Sequence, residues 1–297
     1  MNALAWAVER SERGITEPAR VADPDDFRAA AERFLPDVRR SFDRIIMAYD
    51  AELGLDSLLE CGALTTMLPE VKALVGFGDG EWRHKDVWKH TKQVVRQAVP
   101  LIEVRWAALL HDIGKVKTRT ISPDGEVHFF GHAEVGARMF DRLDRRLPLF
   151  APEPALKTSV RFLILHHLRA SQYDSTWTDS AVRRFAREMG DCLDNLFALS
   201  RADITTKRPE KKKKGLRQIS ELAERVEKLQ ELDAKVPPLP SGIGDDIMKT
   251  FGIPPSRKIG EIKKALEAAI DSGEIPSHEG SEFYLSFLRE NAARFFG

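Results

Sequence analysis

Apolar residues return every three or four positions along most of the chain, the spacing of a helix with one buried face, and strand-like alternation is almost absent. The clearest stretch is 86–112, DVWKHTKQVVRQAVPLIEVRWAALLHD, where Val87, Thr91, Val94, Ala98 and Ile102 share one side. Pro100 has no N–H to donate, so it bends or breaks that run. Segments 132–147, 156–170 and 179–204 read as helical too, and 215–235 sets Leu216, Ile219, Leu222, Val226, Leu229 and Leu232 at threes and fours, an amphipathic helix. One hairpin is expected: in TRTISPDGEVHFFGH, residues 118–132, Pro123, Asp124 and Gly125 form a turn signal between two short β-prone runs. VPPLPSG at 236–242 reads as a rigid hinge, followed by a smaller helical module in 244–253 and 256–270. The expected fold is all-α, a helical core with a small hairpin and a C-terminal helical tail module.

At 297 residues the chain makes one large domain or two ordinary ones. Lysine plus arginine equals aspartate plus glutamate at 46 each, so no global field draws in polyanions, and contact with nucleic acid has to be local. No run approaches the roughly 18 apolar residues of a membrane span. MNALAWAVERSERG lacks the basic start and apolar centre of a secretory signal, so a cytoplasmic location with no membrane partner is expected. Cys61 and Cys192 are too few for a disulfide framework or a thiolate zinc site, which leaves histidine and carboxylate to hold any metal.

The histidines supply that possibility. His84, His90, His111, His128, His132, His166 and His167 crowd into the middle of the chain, with His278 apart. Imidazole and carboxylate match divalent Mn, Fe, Co, Ni or Zn. His111 and Asp112 follow the apolar run WAALL, and a carboxylate buried there must be paired or coordinated, because an isolated buried charge is costly enough to shift its own pKa.

His90, then His111 and Asp112, then Asp203 after a long helical interval, resembles the H…HD…D signature of the HD superfamily of metal-dependent phosphohydrolases, with HDIGK as the central motif. The flanks GLDSLLECGALTTMLPEVKAL, DVWKHTKQVV, FFGHAEVGA, ALSRADITTKRPEKKKK and LPSGIGDDIMKTFGIPPSRKIGEIKKALEAAIDSGEI are similar to the HD-containing C-terminal half of bacterial CCA-adding tRNA nucleotidyltransferases, over about residues 53–275. The resemblance implies a helical neck-like region in 1–80 and an all-α HD domain in 81–207. It implies a basic segment, a long amphipathic helix and a tail module in 208–297. Those enzymes polymerise with an N-terminal head carrying a Gly-Ser strand and paired aspartates. No such stretch precedes residue 53, so CCA addition by this chain alone is not expected.

By the same resemblance His90, His111, Asp112 and Asp203 hold one divalent transition-metal ion or magnesium. Asp112 bridges to a second ion held by His132, His166 and His167, where two-metal relatives such as the HD-GYP phosphodiesterases have extra histidines. HHLRASQYDSTW follows in place of the GYP sequence, which argues against cyclic-di-GMP as substrate. The residues by themselves leave other roles open. His132 suits a cap or a substrate contact at a helix start; adjacent histidines lie about 100° apart on a helix, so one of His166 and His167 can face away. A spent, metal-free centre is a further alternative. His84 and His128 read as surface residues. Lys115, a helical turn beyond His111 on the same side, is placed to offset phosphate charge in a transition state. Arg119 and Arg169 are candidates for the same work, with solvated helix ends as the alternative.

RADITTKRPEKKKKGLR carries eight basic and two acidic residues, and Lys211, Lys212, Lys213 and Lys214 are its densest part. Such a run is either a solvated face or a salt-sensitive RNA contact near the mouth of the centre. The leading expectation is a phosphohydrolase with one or two divalent ions, in which Asp112 holds the attacking water and Lys115 offsets charge. Its substrate would be a nucleotide, a 2′,3′-cyclic phosphate or an RNA-end phosphate ester. The alternatives are a tRNA- or RNA-binding module with a non-catalytic HD site, or the body and tail subunit of a split tRNA nucleotidyltransferase. The residues fix no oligomeric state.

Overall fold

A computed structural model describes residues 2–14, 22–78, 86–235 and 237–296. The chain divides into two compact units, Met1–Gln172 with Asp191–Ile219, and Tyr173–Gly190 with Ser220–Gly297. The first unit opens with α1 (Asn2–Arg13), α2 (Pro24–Arg33), α3 (Leu35–Met47), α4 (Ala51–Glu60), α5 (Ala63–Met67) and α6 (Pro69–Lys72). It continues through α7 (Val87–Gln97), α8 (Ile102–Leu110) and α9 (Lys115–Thr118), the strands β1 (Thr120–Ile121) and β2 (Val127–His128), α10 (His132–Arg146) and α11 (Pro154–His166). α12 (Asp179–Met189) belongs to the second unit and α13 (Leu193–Asp203) to the first, while α14 (Pro209–Lys235) contributes residues to both. α15 (Ile243–Phe251), α16 (Arg257–Asp271), α17 (Ser281–Glu290) and α18 (Ala292–Phe296) complete the second unit. The all-α expectation holds: the only sheet among the described residues is the hairpin, with Thr120 opposite His128 and Ile121 opposite Val127.

The core of the first unit forms around α8. Every residue from Val104 to Leu110 is buried, as befits a helix that is apolar nearly all round, and α7, α11 and α13 pack against it. Pro100 ends the preceding run as expected, so that α7 and α8 lie side by side. Arg105, the charged exception, is satisfied in place, its guanidinium donating to the carbonyls of Ile46 at 2.9 Å and Val99 at 3.3 Å. Trp106 packs against Phe42 and Phe150 and donates its indole N–H to Asp43 at 2.7 Å.

Two features depart from the periodicity. The helical run 179–204 is interrupted at Gly190, whose φ of 50° and ψ of −135° suit a residue without a Cβ, so a single 3-10 turn separates α12 from α13. Along α14, Ile219, Leu222, Val226 and Leu229 are buried, but Leu216 is half-buried and Leu232, three residues before the helix ends, is 45% exposed. α1 falls in the neck-like region and α17 and α18 in the tail region, with bounds that the periodicity does not give. Leu4, Ala7 and Val8 tie α1 into the core of the first unit, while Tyr284, Leu285, Leu288 and Phe295 are buried in the core of the second.

One glycine controls how the centre is assembled. Gly114 has ordinary helical dihedrals, so its freedom of rotation is not what matters. A Cβ there would stand 2.0 Å from the carbonyl oxygen of His132 and 2.7 Å from the amide nitrogen of Gly136, both in α10. The 111–114 turn and the start of α10 therefore touch backbone to backbone. Gly114→Ala is expected to cost about 3 kcal/mol by overpacking. Gly260→Ala, at a helical position with nothing within 4 Å, is expected to be neutral or stabilising; urea denaturation of the two variants checks the contrast.

Candidate metal centre

Five segments of the first unit deliver the polar side chains. His90 sits one turn into α7, whose N-terminus is capped by Asp86 through its carboxylate to the N–H groups of Trp88 and Lys89. His111 caps the C-terminus of α8, and the chain then tightens into a turn, Lys115 N–H bonding the Asp112 carbonyl at 3.0 Å, before α9 begins. His132 is the first residue of α10, placed there by Gly131 at φ 70°, a left-handed conformation that glycine adopts freely. His167 ends α11, and Asp203 is the last residue of α13.

Three of these imidazoles are anchored in the same way. The Nδ1 atoms of His111, His132 and His167 lie 2.9, 2.8 and 2.8 Å from the carbonyl oxygens of Ala108, Phe129 and Ile164. A carbonyl only accepts, so each Nδ1 carries the proton and each neutral ring keeps its lone pair on Nε2. His90 turns its Nδ1 instead to the hydroxyl of the buried Thr205, at 2.9 Å.

The Nε2 atoms converge. His90 Nε2 and His111 Nε2 are 3.3 Å apart, and Asp203 Oδ1 lies 3.0 Å from the first and 3.6 Å from the second. Asp112, 1% exposed, places Oδ2 at 3.2 Å from His111 Nε2 and 3.4 Å from His90 Nε2, while its Oδ1 is 3.6 Å from His132 Nε2. His132 Nε2 faces His167 Nε2 at 3.2 Å. Two donor groups result, His90, His111 and Asp112 on one side and Asp112, His132 and His167 on the other, each able to hold a metal ion.

The His132–His167 contact shows why a cation fits. With both Nδ1 protons committed to carbonyls, the two neutral rings present bare lone pairs to each other, which is repulsive unless positive charge lies between them. A proton does not serve: burial, then the charge of His111, pushes His167 down to about 4, and burial lowers His132 as well. On the other side burial alone would lower His111, but Asp112 and Asp203 outweigh it and push the imidazole up to about 10. Burial works against both carboxylates, yet the histidines around them, with Lys115 beside Asp112, hold them well below the usual carboxylate range. The donors are nitrogen and carboxylate oxygen, the set preferred by borderline divalent ions.

The remaining sequence candidates fall at varying positions. Lys115 Nζ is 2.7 Å from Asp112 Oδ2 and 5.5 Å from the Phe129 ring centre. His166 has its ring centre 4.3 Å from that of Phe162. Arg119 lies over Phe77, and Arg169 lies just beyond α11, its N–H bonded to the His166 carbonyl. Lys211, Lys212, Lys213 and Lys214 are exposed on the opening turns of α14. His128 is half-buried and stacks on Phe130, and His84 lies outside the described residues.

Sequence reasoning sets the basic stretch near the mouth of the centre but does not single out the groups that line the approach to His90. A cleft of about 500 Å³ is lined by Asp86, Lys89, His90, Gln93, Thr205, Thr206, Lys207, Arg208 and Lys211. The signal was present, since Thr205 to Lys211 begins two residues after Asp203, but a charged stretch gives no hint of which members turn inward.

The HD domain family matches residues 87–233. The chain is 31% identical to the A-adding tRNA nucleotidyltransferase of Deinococcus radiodurans over 246 residues, covering 80% of this chain and 55% of that one. It is 30% identical to the CC-adding tRNA nucleotidyltransferase of Thermus thermophilus over 262 residues, 85% of this chain and 56% of that one. A shorter match, 35% over 113 residues, covers 36% of this chain and 27% of the multifunctional CCA protein of Pseudomonas paraeruginosa. The chain spans about half the length of the first two relatives. HD domains bind divalent metals, in keeping with the two donor groups around Asp112. No helix among the described residues is long and apolar enough to cross a membrane.

Thr205 orients a candidate ligand without facing the cation position itself. Thr205→Val removes the oxygen opposite His90 Nδ1 and keeps the shape, so divalent-metal affinity, read by competition with a chelating dye, is expected to fall about 10- to 100-fold with the melting temperature unchanged. Thr205→Ser is expected to restore it.

Proposed function

Since residues 87–233 are an HD domain and the chain is homologous to CCA- and A-adding tRNA nucleotidyltransferases over the region that contains it, we propose that the protein is a metal-dependent phosphohydrolase. Its substrate class is a nucleotide, a 2′,3′-cyclic phosphate or an RNA-end phosphate ester. The observation that supports this reading best is the convergence of three Nε2 atoms, those of His90, His111 and His132, on the two oxygens of one buried carboxylate, Asp112, with His167 Nε2 beside the third.

Divalent cations held there would supply Lewis acidity at a phosphoryl oxygen and ionise water near neutral pH. His90, His111 and Asp203 form one arm, His132 and His167 the other, and Asp112 offers one oxygen to each. Lys115, at 2.7 Å from Asp112, stands beside that carboxylate, where its ammonium would offset charge gathering on the phosphoryl oxygens. The reaction is hydrolysis: the oxygen of water bonds to phosphorus, the ester P–O bond breaks, and the leaving oxygen takes a proton. Burial of His111, Asp112 and His167 fixes these groups before substrate arrives, so little reorganisation remains for the transition state.

A second reading rests on a separate observation. Lys207, Arg208, Lys211, Lys212, Lys213 and Lys214 are all exposed at one place on the first unit, and the relatives by name act on tRNA. In that reading the chain holds RNA through its phosphates, either beside a working centre or with the centre serving only to brace the fold, or as the body of a two-part nucleotidyltransferase.

Metal analysis and one activity panel separate these readings. The hydrolase reading expects about one or two equivalents of divalent metal and turnover of a 2′,3′-cyclic nucleotide, a nucleoside monophosphate or an aryl phosphate with Mn, Co, Ni or Mg. Asp112→Ala is expected to lower that activity by at least about a thousandfold while leaving tRNA retention intact. Neutralising Lys211, Lys212, Lys213 and Lys214 is expected to abolish salt-sensitive tRNA retention. Turnover that survives Asp112→Ala assigns the activity elsewhere.

A further inference from the structure

The cleft beside the centre carries more positive charge than one phosphate needs. Lys89, Lys207, Arg208 and Lys211 line it, all exposed, and no ion pair ties any of them to a described residue. The one carboxylate in the lining, Asp86, is occupied, its Oδ1 accepting the N–H groups of Trp88 at 3.0 Å and Lys89 at 3.2 Å. The floor is shared with the centre, since His90 lines the cleft and turns its Nε2 to His111, Asp112 and Asp203. Lys115, the cation beside Asp112, is not part of the lining.

We propose that this cleft holds a ligand with two or more consecutive phosphate groups, the first beside His90 and the next against Lys207, Arg208 and Lys211. The proposal rests on the phosphohydrolase reading and narrows its substrate class from phosphate esters in general to those with a phosphate chain. Charge is the reason: a single phosphate at the centre would be met by the divalent cations that the donor cluster would hold and by Lys115, which leaves four unpaired cations in the cleft repelling one another. A second and third phosphate remove that repulsion. The volume, about 500 Å³, lies within the range that encloses a nucleotide-sized ligand. Thr205, Thr206 and Gln93 are the neutral hydrogen-bonding partners in the lining, beside its cations and the His90 ring. Beyond Lys211 the cleft is followed along α14 by Lys212, Lys213 and Lys214, so a longer chain of phosphates meets further positive charge.

Equilibrium binding by calorimetry on the full chain in EDTA tests this without drawing on turnover. The probes are inorganic phosphate, tripolyphosphate, uridine monophosphate and a 5′-phosphorylated uridine trinucleotide. At least one multi-phosphate probe is expected to bind about tenfold or more tighter than its single-phosphate counterpart, with an affinity that falls as salt is raised. Preference for tripolyphosphate identifies a nucleoside polyphosphate as the source of the chain, and preference for the trinucleotide identifies a polynucleotide. A variant with Lys207→Ala, Arg208→Ala and Lys211→Ala is expected to lose that advantage while keeping its melting temperature. Equal binding of all four probes, or an advantage that survives the triple variant, overturns the proposal. A chain that binds as expected yet turns over no phosphate ester sinks the hydrolase reading alone, and one that hydrolyses but binds every probe alike sinks only the cleft.

Discussion

A carboxylate cannot be shut away from water unless positive charge closes around it. Asp112 is 1% exposed, and the first unit is arranged so that its two oxygens meet this condition separately. Oδ2 faces His90, His111 and Lys115, and Oδ1 faces His132. Without the carboxylate the buried His111 ring would give up its extra proton, since burial alone lowers it, whereas without the histidines a buried anion would remain. The carboxylate therefore depends on residues from α7, the turn after α8 and α10 being held near it.

Much of this was legible in the chain. The 3.6-residue period gave the helices, Pro100 gave the break between α7 and α8, and Pro123, Asp124 and Gly125 gave the hairpin. The HD resemblance named His90, His111, Asp112, Asp203, His132, His166 and His167, and the structure brings together polar atoms of His90, His111, Asp112, Asp203, His132 and His167. The pair His166 and His167 shows where one-dimensional reading stops: the double histidine announces a site, but which ring enters it depends on how α11 is rotated, and that is set by packing of Leu163 and Ile164 in the core. Thr205 shows the same limit from another side. A threonine in a charged stretch looks like solvent-facing polarity, and only the close approach of the 204–206 segment to α7 makes its hydroxyl the partner of His90.

Gly114 and Gly190 mark two ways in which a glycine escapes pattern reading. Gly190 breaks a helical run because its dihedrals exclude other residues, a local effect that sequence can suggest. Gly114 has no unusual dihedrals at all; its necessity comes from α10, contributed by residues eighteen to twenty-two positions later. The bounds of the terminal helices escape pattern reading for a simpler reason. The buried sides of α1 and α17 become apparent only against partners elsewhere in their units.

The carbonyls that orient His111, His132 and His167 belong to the main chain of Ala108, Phe129 and Ile164. Every amino acid brings the same carbonyl, so replacing any of these three side chains leaves the acceptor in position as long as the chain keeps its path. Ring direction is thus encoded in the route of the polypeptide and not in particular neighbours. The centre is for that reason buffered against drift at the very positions that aim it, and its fragility moves to the few places, Gly131 among them, where the route itself depends on residue type.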